Sequence, residues 1–555
     1  MNKTLLIALG VLLNAYGFAQ TGCAPGTGQF NANMNNYQAH LLTDGDMFWN
    51  TATKKPATFI PKNSNISPIF TGSIWMGGFA NNNLHVASMT YRQSGVDYWP
   101  GPIDTVTMIT PPSLCGSYDT FFPIYKTQVD SQVNNLYTAA TMPTNILNWP
   151  GNGVSASNTS HKLAPYVDVN LNGIYDPLNG DYPIMRGDYS VYQIFNDVAN
   201  HHSESDGLPL GVEVHLSTYV LNCNNDSALW NTLFLHYDII HRAPDTVSQF
   251  KVAMFSDFML GNPFDDYIGC DTNLNMYYAY NANGYDKDTI TTIPDGPGCP
   301  LLSSVKDTLR GYHQYLPAMA GLFLNQKMSG FIYANFGCNM MGNPAYYNPS
   351  IYYNFMNGLW LTGAPITYGG AGLTAANPPC SYVFPGDPVS NTGWTQPNGG
   401  NAPYNMRGVG SCGPYTFYPN DTLKLDFAYV FARDYANPGN NLAPITKLRQ
   451  YVQNIQTYYN TNTSPCGSTF NSTLRPATGN ISNRLLVYPN PAVNNITISS
   501  TQLIATSTIQ LTDVLGSQVM QTNAQRGKAT IDISNLQQGV YFIKTSQGTA
   551  KFIKQ

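Results

Sequence analysis

Charge is what this 555-residue chain has least of. Asp, Glu, Lys and Arg make up 10% of it, against about 25% in ordinary soluble domains. The net charge is −5, and Lys and Arg are nowhere clustered, so the chain lacks the electrostatic footprint that nucleic acid requires. Long apolar runs are scarce too. Beyond Leu13 no stretch approaches the roughly 20 residues of a bilayer-crossing helix, and no membrane span is expected. The sequence contains no G-x-S-x-G, H-E-x-x-H, G-x-x-x-x-G-K-[ST] or dinucleotide fingerprint. The usual sequence signs of hydrolase, zinc peptidase, nucleotide and nicotinamide chemistry are therefore missing. None of the nine cysteines forms a C-x-x-C pair, which disfavours zinc ribbons and thioredoxin-type redox chemistry.

What is present points outward from the cell. A short basic start, an apolar run from Leu5 to Leu13 and small residues up to Gln20 have the form of a signal peptide over residues 1–20. Polarity comes from Asn, Thr, Ser, Gln and Gly, joined by 38 tyrosines, a composition suited to extracellular β-structure. Widely spaced cysteines in an exported chain imply structural disulfides. Short strands punctuated by turns dominate. Val212–Val220 alternates cleanly, with Val212, Val214, Leu216 and Val220 on one face. Strands are also expected over 71–78, 81–86, 229–240 and 250–258. Ala443 to Tyr459 breaks the pattern: Ile445, Leu448, Tyr451, Val452, Ile455 and Tyr459 recur at helical spacing.

The expected fold class is all-β: β-sandwich-like main regions over 21–150 and 151–465, closed by one helix near 443–459. A linker over 466–484 then leads to a small terminal module over 485–555. That module opens on Tyr488-Pro489-Asn490-Pro491, continues through Asp513-Val514-Leu515-Gly516 and Leu536-x-x-Gly539-Val540-Tyr541-Phe542-Ile543, and ends on Lys551-Phe552-Ile553-Lys554. In that order these motifs resemble the type A sorting domain of the type IX secretion system of Bacteroidota. The resemblance implies a small Ig-like β-sandwich, engagement of the type IX machinery through residues 485–555, and delivery to the exterior or cell surface. The remainder resembles uncharacterised surface proteins of the same bacteria, and no activity follows from that.

Three constellations are chemical candidates. Asp168, Asn170 and Asn172 alternate before Gly173, followed by the Ile174 carbonyl, Asp176 and Asp181. Hard oxygens at alternate positions around a turn glycine are how an EF-hand-type loop wraps calcium, although Asn179 stands where such a loop has its closing Glu. A second acidic stretch, Asp257, Asn262, Asp265, Asp266 and Asp271, is a further calcium candidate with no standard spacing. Third, a hairpin turning at Asn224-Asn225 sets Glu213 opposite His236 and beside His215, a trio suited to zinc or acid–base work. His201-His202 with Glu204 and Asp206 forms a lesser metal candidate. The expected function is non-enzymatic adhesion or extracellular binding, with calcium stiffening loops and exposed Tyr and Trp meeting a glycan or surface ligand. The alternatives are a secreted hydrolase, whose two carboxylates need share no motif, and a carbohydrate-binding protein.

Overall fold

Alternation along the strands determines how the sheets stack. In the computed structural model, which describes residues 22–33, 35–91, 95–294, 304–335, 348–470, 486–499, 508–514, 516–523, 528–545 and 548–555, the chain divides into Met1–Thr473 and Leu474–Gln555. The expected signal at 1–20, most of the linker, and Cys299 and Cys338 lie outside the described residues.

The first unit is built on two antiparallel sheets. A nine-stranded sheet runs in the order Asp266–Asp271, Met276–Asn281, Pro317–Phe323, Thr422–Arg433, Thr232–His241, Val212–Val220, Tyr189–Asn196, Trp99–Pro100, with Phe122–Tyr125 also pairing Tyr189–Asn196. A five-stranded sheet runs Met328–Asn335, Met406–Phe417, Val247–Phe258, Ile69–Ala80, Asn83–Ala87. The two regions expected on either side of residue 150 thus share sheets: Ile69–Ala80 pairs with Val247–Phe258, and Trp99–Pro100 pairs with Tyr189–Asn196.

Val212, Val214, Leu216 and Val220 all enter the main core, as do Leu233, Leu235, Tyr237 and Ile239 of the neighbouring strand. Across it, Tyr277 of the nine-stranded sheet stacks on Phe331 of the five-stranded sheet at 5.3 Å between ring centres. Its hydroxyl meets that of Ser256 at 2.7 Å. The sheets approach closely here because Gly408 and Gly410 lack side chains; a Cβ on either would sit 2.8 or 2.6 Å from the Tyr277 ring.

The outer face of the nine-stranded sheet is covered in two patches. Ile445, Leu448, Tyr451, Val452 and Ile455 of helix Ala443–Thr461 pack on Phe234, Leu322, Ala428 and Val430, so the predicted helix is present two residues longer than its apolar pattern. Residues 114–185 form a second cover over Tyr192 and Ile194. Disulfides Cys23–Cys115 and Cys223–Cys466 tie distant parts of the unit together.

The second unit pairs a three-stranded sheet (Leu486–Tyr488, Asn495–Ser499, Lys528–Asp532) with a four-stranded one (Gln518–Asn523, Thr508–Thr512, Gly539–Thr545, Gly548–Lys554). Ile496, Ile498, Ile509, Leu511, Ile531, Ile543 and Phe552 make a core of its own. This is the small β-sandwich the motifs imply.

Candidate functional site

Between the two covers on the nine-stranded sheet runs a row of polar side chains, all on the face opposite the valines. Glu213 and His215 belong to it, and so does His236. The pairing differs from the one a tight Asn224-Asn225 turn would impose. A short helix, Ser227–Trp230, occupies the connection, so His236 pairs with Ser217, Asp238 with His215, and Ile240 with Glu213. The displacement is by an even number of residues, which keeps the trio on one face but divides it between two networks.

In the first network, His215 Nε2 lies 2.9 Å from Glu213 Oε1 and its Nδ1 lies 2.8 Å from the Tyr192 hydroxyl. Glu213 also accepts from Arg242 Nη2 at 2.6 Å and from the Ile103 amide at 2.8 Å. Burial disfavours its charge, yet His215 and Arg242 outweigh burial and hold the carboxyl down at about 2. In the second network, His236 Nδ1 faces Asp426 Oδ1 at 2.7 Å, and Asp426 Oδ2 accepts from the Tyr459 hydroxyl at 2.6 Å. His236 Nε2 faces both Arg186 Nη2 at 2.9 Å and Asp238 Oδ2 at 3.3 Å. The neutral ring accepts from Arg186; the charged ring donates to Asp238. Burial opposes the charged ring, but Asp238 and Asp426 prevail and raise its pKa. Both imidazoles are buried, and every ring nitrogen has a partner within the protein.

The 168–181 loop gathers its oxygens. Asp168 accepts from the amides of Asn172 at 3.1 Å and Gly173 at 2.8 Å. The side chains of Asn170, Asn172 and Asn179 all donate to Asp176, at 3.1, 2.9 and 2.9 Å. Asp181 accepts from Val169 and Asp176 amides at 2.8 and 2.9 Å. Leu171 and Gly173, at φ 61° and 85°, make the sharp turns. Hydrogen bonds led by that of Asn179 lower the pKa of Asp176, while burial and the neighbouring Asp176 charge raise that of Asp181. The donor set is all hard oxygen and suits calcium. Among the described residues no three His, Cys, Asp or Glu side chains could hold a metal by themselves, so a cation here would draw on the amide and carbonyl oxygens as well.

The second acidic stretch does not stay together. Asp257 is buried against Arg407 at 3.4 Å and also accepts from the Tyr91 hydroxyl, while Asp271 pairs with Arg449 at 3.3 Å. Asp265 and Asp266 instead join Asn281 and Asp286, which sequence proximity did not suggest. Asn281 Nδ2 donates to Asp266 Oδ1 at 3.2 Å. Burial, then Asp265 and Asp286, push Asp266 well above the usual carboxylate range, and burial with Asp265 takes Asp286 to about 8.

The 201–206 loop separates likewise. His201 is exposed and lies 3.3 Å from Asp206, whereas His202 is buried between the Val86 and Asp197 carbonyls at 2.7 and 2.6 Å. Glu204 is wholly buried, accepting from Thr90 and from Tyr352 at 2.9 Å. Burial, with Asp97 and Asp46 nearby, raises it to about 8. Contrary to expectation the tryptophans offer little contact surface: Trp49, Trp75, Trp99, Trp149, Trp360 and Trp394 are core residues and Trp230 is half-buried. Tyrosine supplies the exposed aromatics, Tyr435 and Tyr418 foremost at 59% and 56%.

Residues 486–555 match the family model of a secretion system C-terminal sorting domain. The chain thus carries a type IX secretion sorting domain and is secreted or held at the cell surface. Among the described residues no helix is long and apolar enough to cross a membrane. No curated protein matches the chain. Among solved structures a polysaccharide lyase is similar over 62% of this chain at 6% identity and a TM-score of 0.19. The chain spans 34% of that protein's length, and so slight a likeness bears on neither fold nor activity.

Proposed function

We propose that this exported protein is a non-enzymatic adhesion or binding protein whose 168–181 loop is stiffened by calcium. One observation carries the reading. The loop turns its carboxylates and amides toward one another while Val169, Leu171, Ile174 and Leu178 stand 50%, 79%, 45% and 59% exposed. Aliphatic side chains gathered in water on a single loop mark a contact surface. Asp168, Asn170, Asn172, Asp176, Asp181 and the Ile174 carbonyl would hold the ion, which would supply countercharge to the adjoining Asp176 and Asp181 and fix the loop for contact. The imidazole networks support a structural rather than catalytic row, because each nitrogen is buried and already engaged.

A thermal melt of the full chain in EDTA and then in calcium tests the metal. At 100 times its dissociation constant the ion adds about 2.7 kcal/mol, and Asp176→Ala should remove that shift. Leu171→Asn, uncharged and at ease at positive φ, should weaken attachment of the protein to bacterial or host surfaces while the calcium shift persists. An absent calcium shift retires the ion. Cleavage of a polysaccharide or peptide panel that disappears in His236→Ala would replace binding with hydrolysis.

A further inference from the structure

Beside helix Ala443–Thr461 lies an open cleft of about 510 Å³. Its walls are the 225–231 segment with Asn36, the end of strand Thr422–Arg433 with Asp434 to Ala436, and one edge of the helix. Three features of this cleft bear on what it takes.

The first is an aromatic wall. Tyr435 is 59% exposed and sits 5.4 Å from the Tyr315 ring. Its other neighbour is Arg433, whose guanidinium lies 5.0 Å over the Tyr435 ring and 4.8 Å over Tyr312. Arg433 is itself held by the Tyr315 and Tyr312 carbonyls at 2.7 and 3.3 Å, so the wall is fixed. The second is hydrogen-bonding capacity. Lys447, Gln450 and Asn454 fall on one edge of the helix at spacings of three and four residues, and the side-chain amides of Gln450 and Asn454 make no hydrogen bond to the described residues. The third is charge balance. Asp226, Asp434, Arg433 and Lys447 all line the cleft, two of each sign, which favours neither an anion nor a cation.

A flat aromatic face beside uncharged amides, in a cleft of balanced charge, is matched by a ligand with apolar ring faces and many hydroxyls. We infer that this cleft binds a neutral glycan, with Tyr435 as the stacking face and Gln450 and Asn454 as hydroxyl partners. The inference rests on the non-enzymatic binding reading and adds to its contact loop a second site with a ligand class. The walls are pre-set, which limits the ordering cost of binding. Disulfide Cys223–Cys466 anchors the 225–231 wall to the segment following the helix, and Asp226 caps Leu229 at 3.1 Å while accepting from Tyr458 at 2.9 Å.

Affinity electrophoresis of the full chain through gels containing laminarin, mannan, hydroxyethylcellulose or polyanionic alginate tests it. Retardation in at least one neutral gel is expected, reduced tenfold or more by Tyr435→Ala and by Gln450→Ala. Gln450 is an exposed helix residue, so its replacement leaves the fold intact; Tyr418→Ala, at an exposed tyrosine elsewhere, should change nothing. Retardation that survives both cleft variants, appears only in alginate, or appears in no gel overturns the cleft. Reducing ends released from a gel whose retardation still depends on Tyr435 would instead overturn the non-enzymatic reading and leave the glycan site standing.

Discussion

Glu204 shows what burial does to a single carboxyl here. It is wholly enclosed, one of its oxygens has no hydrogen-bond partner among the described residues, and it is neutral until about pH 8. Asp46, enclosed beside Asp44, is likewise raised, to about 7. An acid whose folded pKa exceeds its unfolded value near 4 carries a proton that the unfolded chain has lost in between. Folding stability therefore falls as pH rises from about 4 through 8. His236, whose pKa is raised in the folded state, acts in the same sense above its ordinary value. Glu213 acts oppositely, but only as pH falls toward 2. The thermal midpoint should therefore decline between pH 5 and pH 8.5, and Glu204→Gln should flatten the decline. A midpoint that climbs across that range would show these acids ionised in the native protein. None of this was legible in the sequence, because Asp46, Asp97 and Glu204 come together only after strands more than a hundred residues apart have paired.

Elements were more readable than their partners. Helix Ala443–Thr461 and strand Val212–Val220 were legible because a repeated apolar period survives any choice of neighbour. The pairing of that strand was not: the helical turn Ser227–Trp230 carries too short a signal to be separated from the strand it precedes. The 168–181 loop stands at the other extreme. Its residues are adjacent in sequence, so its convergence could be read directly, whereas the 257–271 stretch scattered once its strands paired outward. The helix gives a clean contrast of faces. Leu448 is fully buried against the nine-stranded sheet, and Leu448→Ala should cost roughly 2–5 kcal/mol in urea denaturation. Gln450→Ala, two residues on and exposed, should stay within about 0.5 kcal/mol. Equal losses at the two positions would mean the helix is held by something other than its apolar stripe.

At the scale of the whole molecule the two units carry separate duties. The terminal sandwich has its own core and bears the sorting signature, so a chain ending at residue 485 should fold its main unit yet fail to reach the cell surface. Fractionation of a type IX-competent host, probed for the main unit, checks this; surface display of the shortened chain would move the sorting signal elsewhere.

The order of strands in the two large sheets sets a timetable. Met406–Phe417 and Thr422–Arg433 are among the last strands of the main unit to be synthesised, yet each lies inside its sheet, between strands made long before it. Neither sheet can close around its first half. Val247–Phe258 and Thr232–His241 gain their last neighbours only when Met406–Phe417 and Thr422–Arg433 have been made, so closure is paced by long-range pairing rather than local structure. During that wait Val247–Phe258 and Thr232–His241 present open apolar edges, and a cell exporting this protein has to keep them from meeting those of another copy.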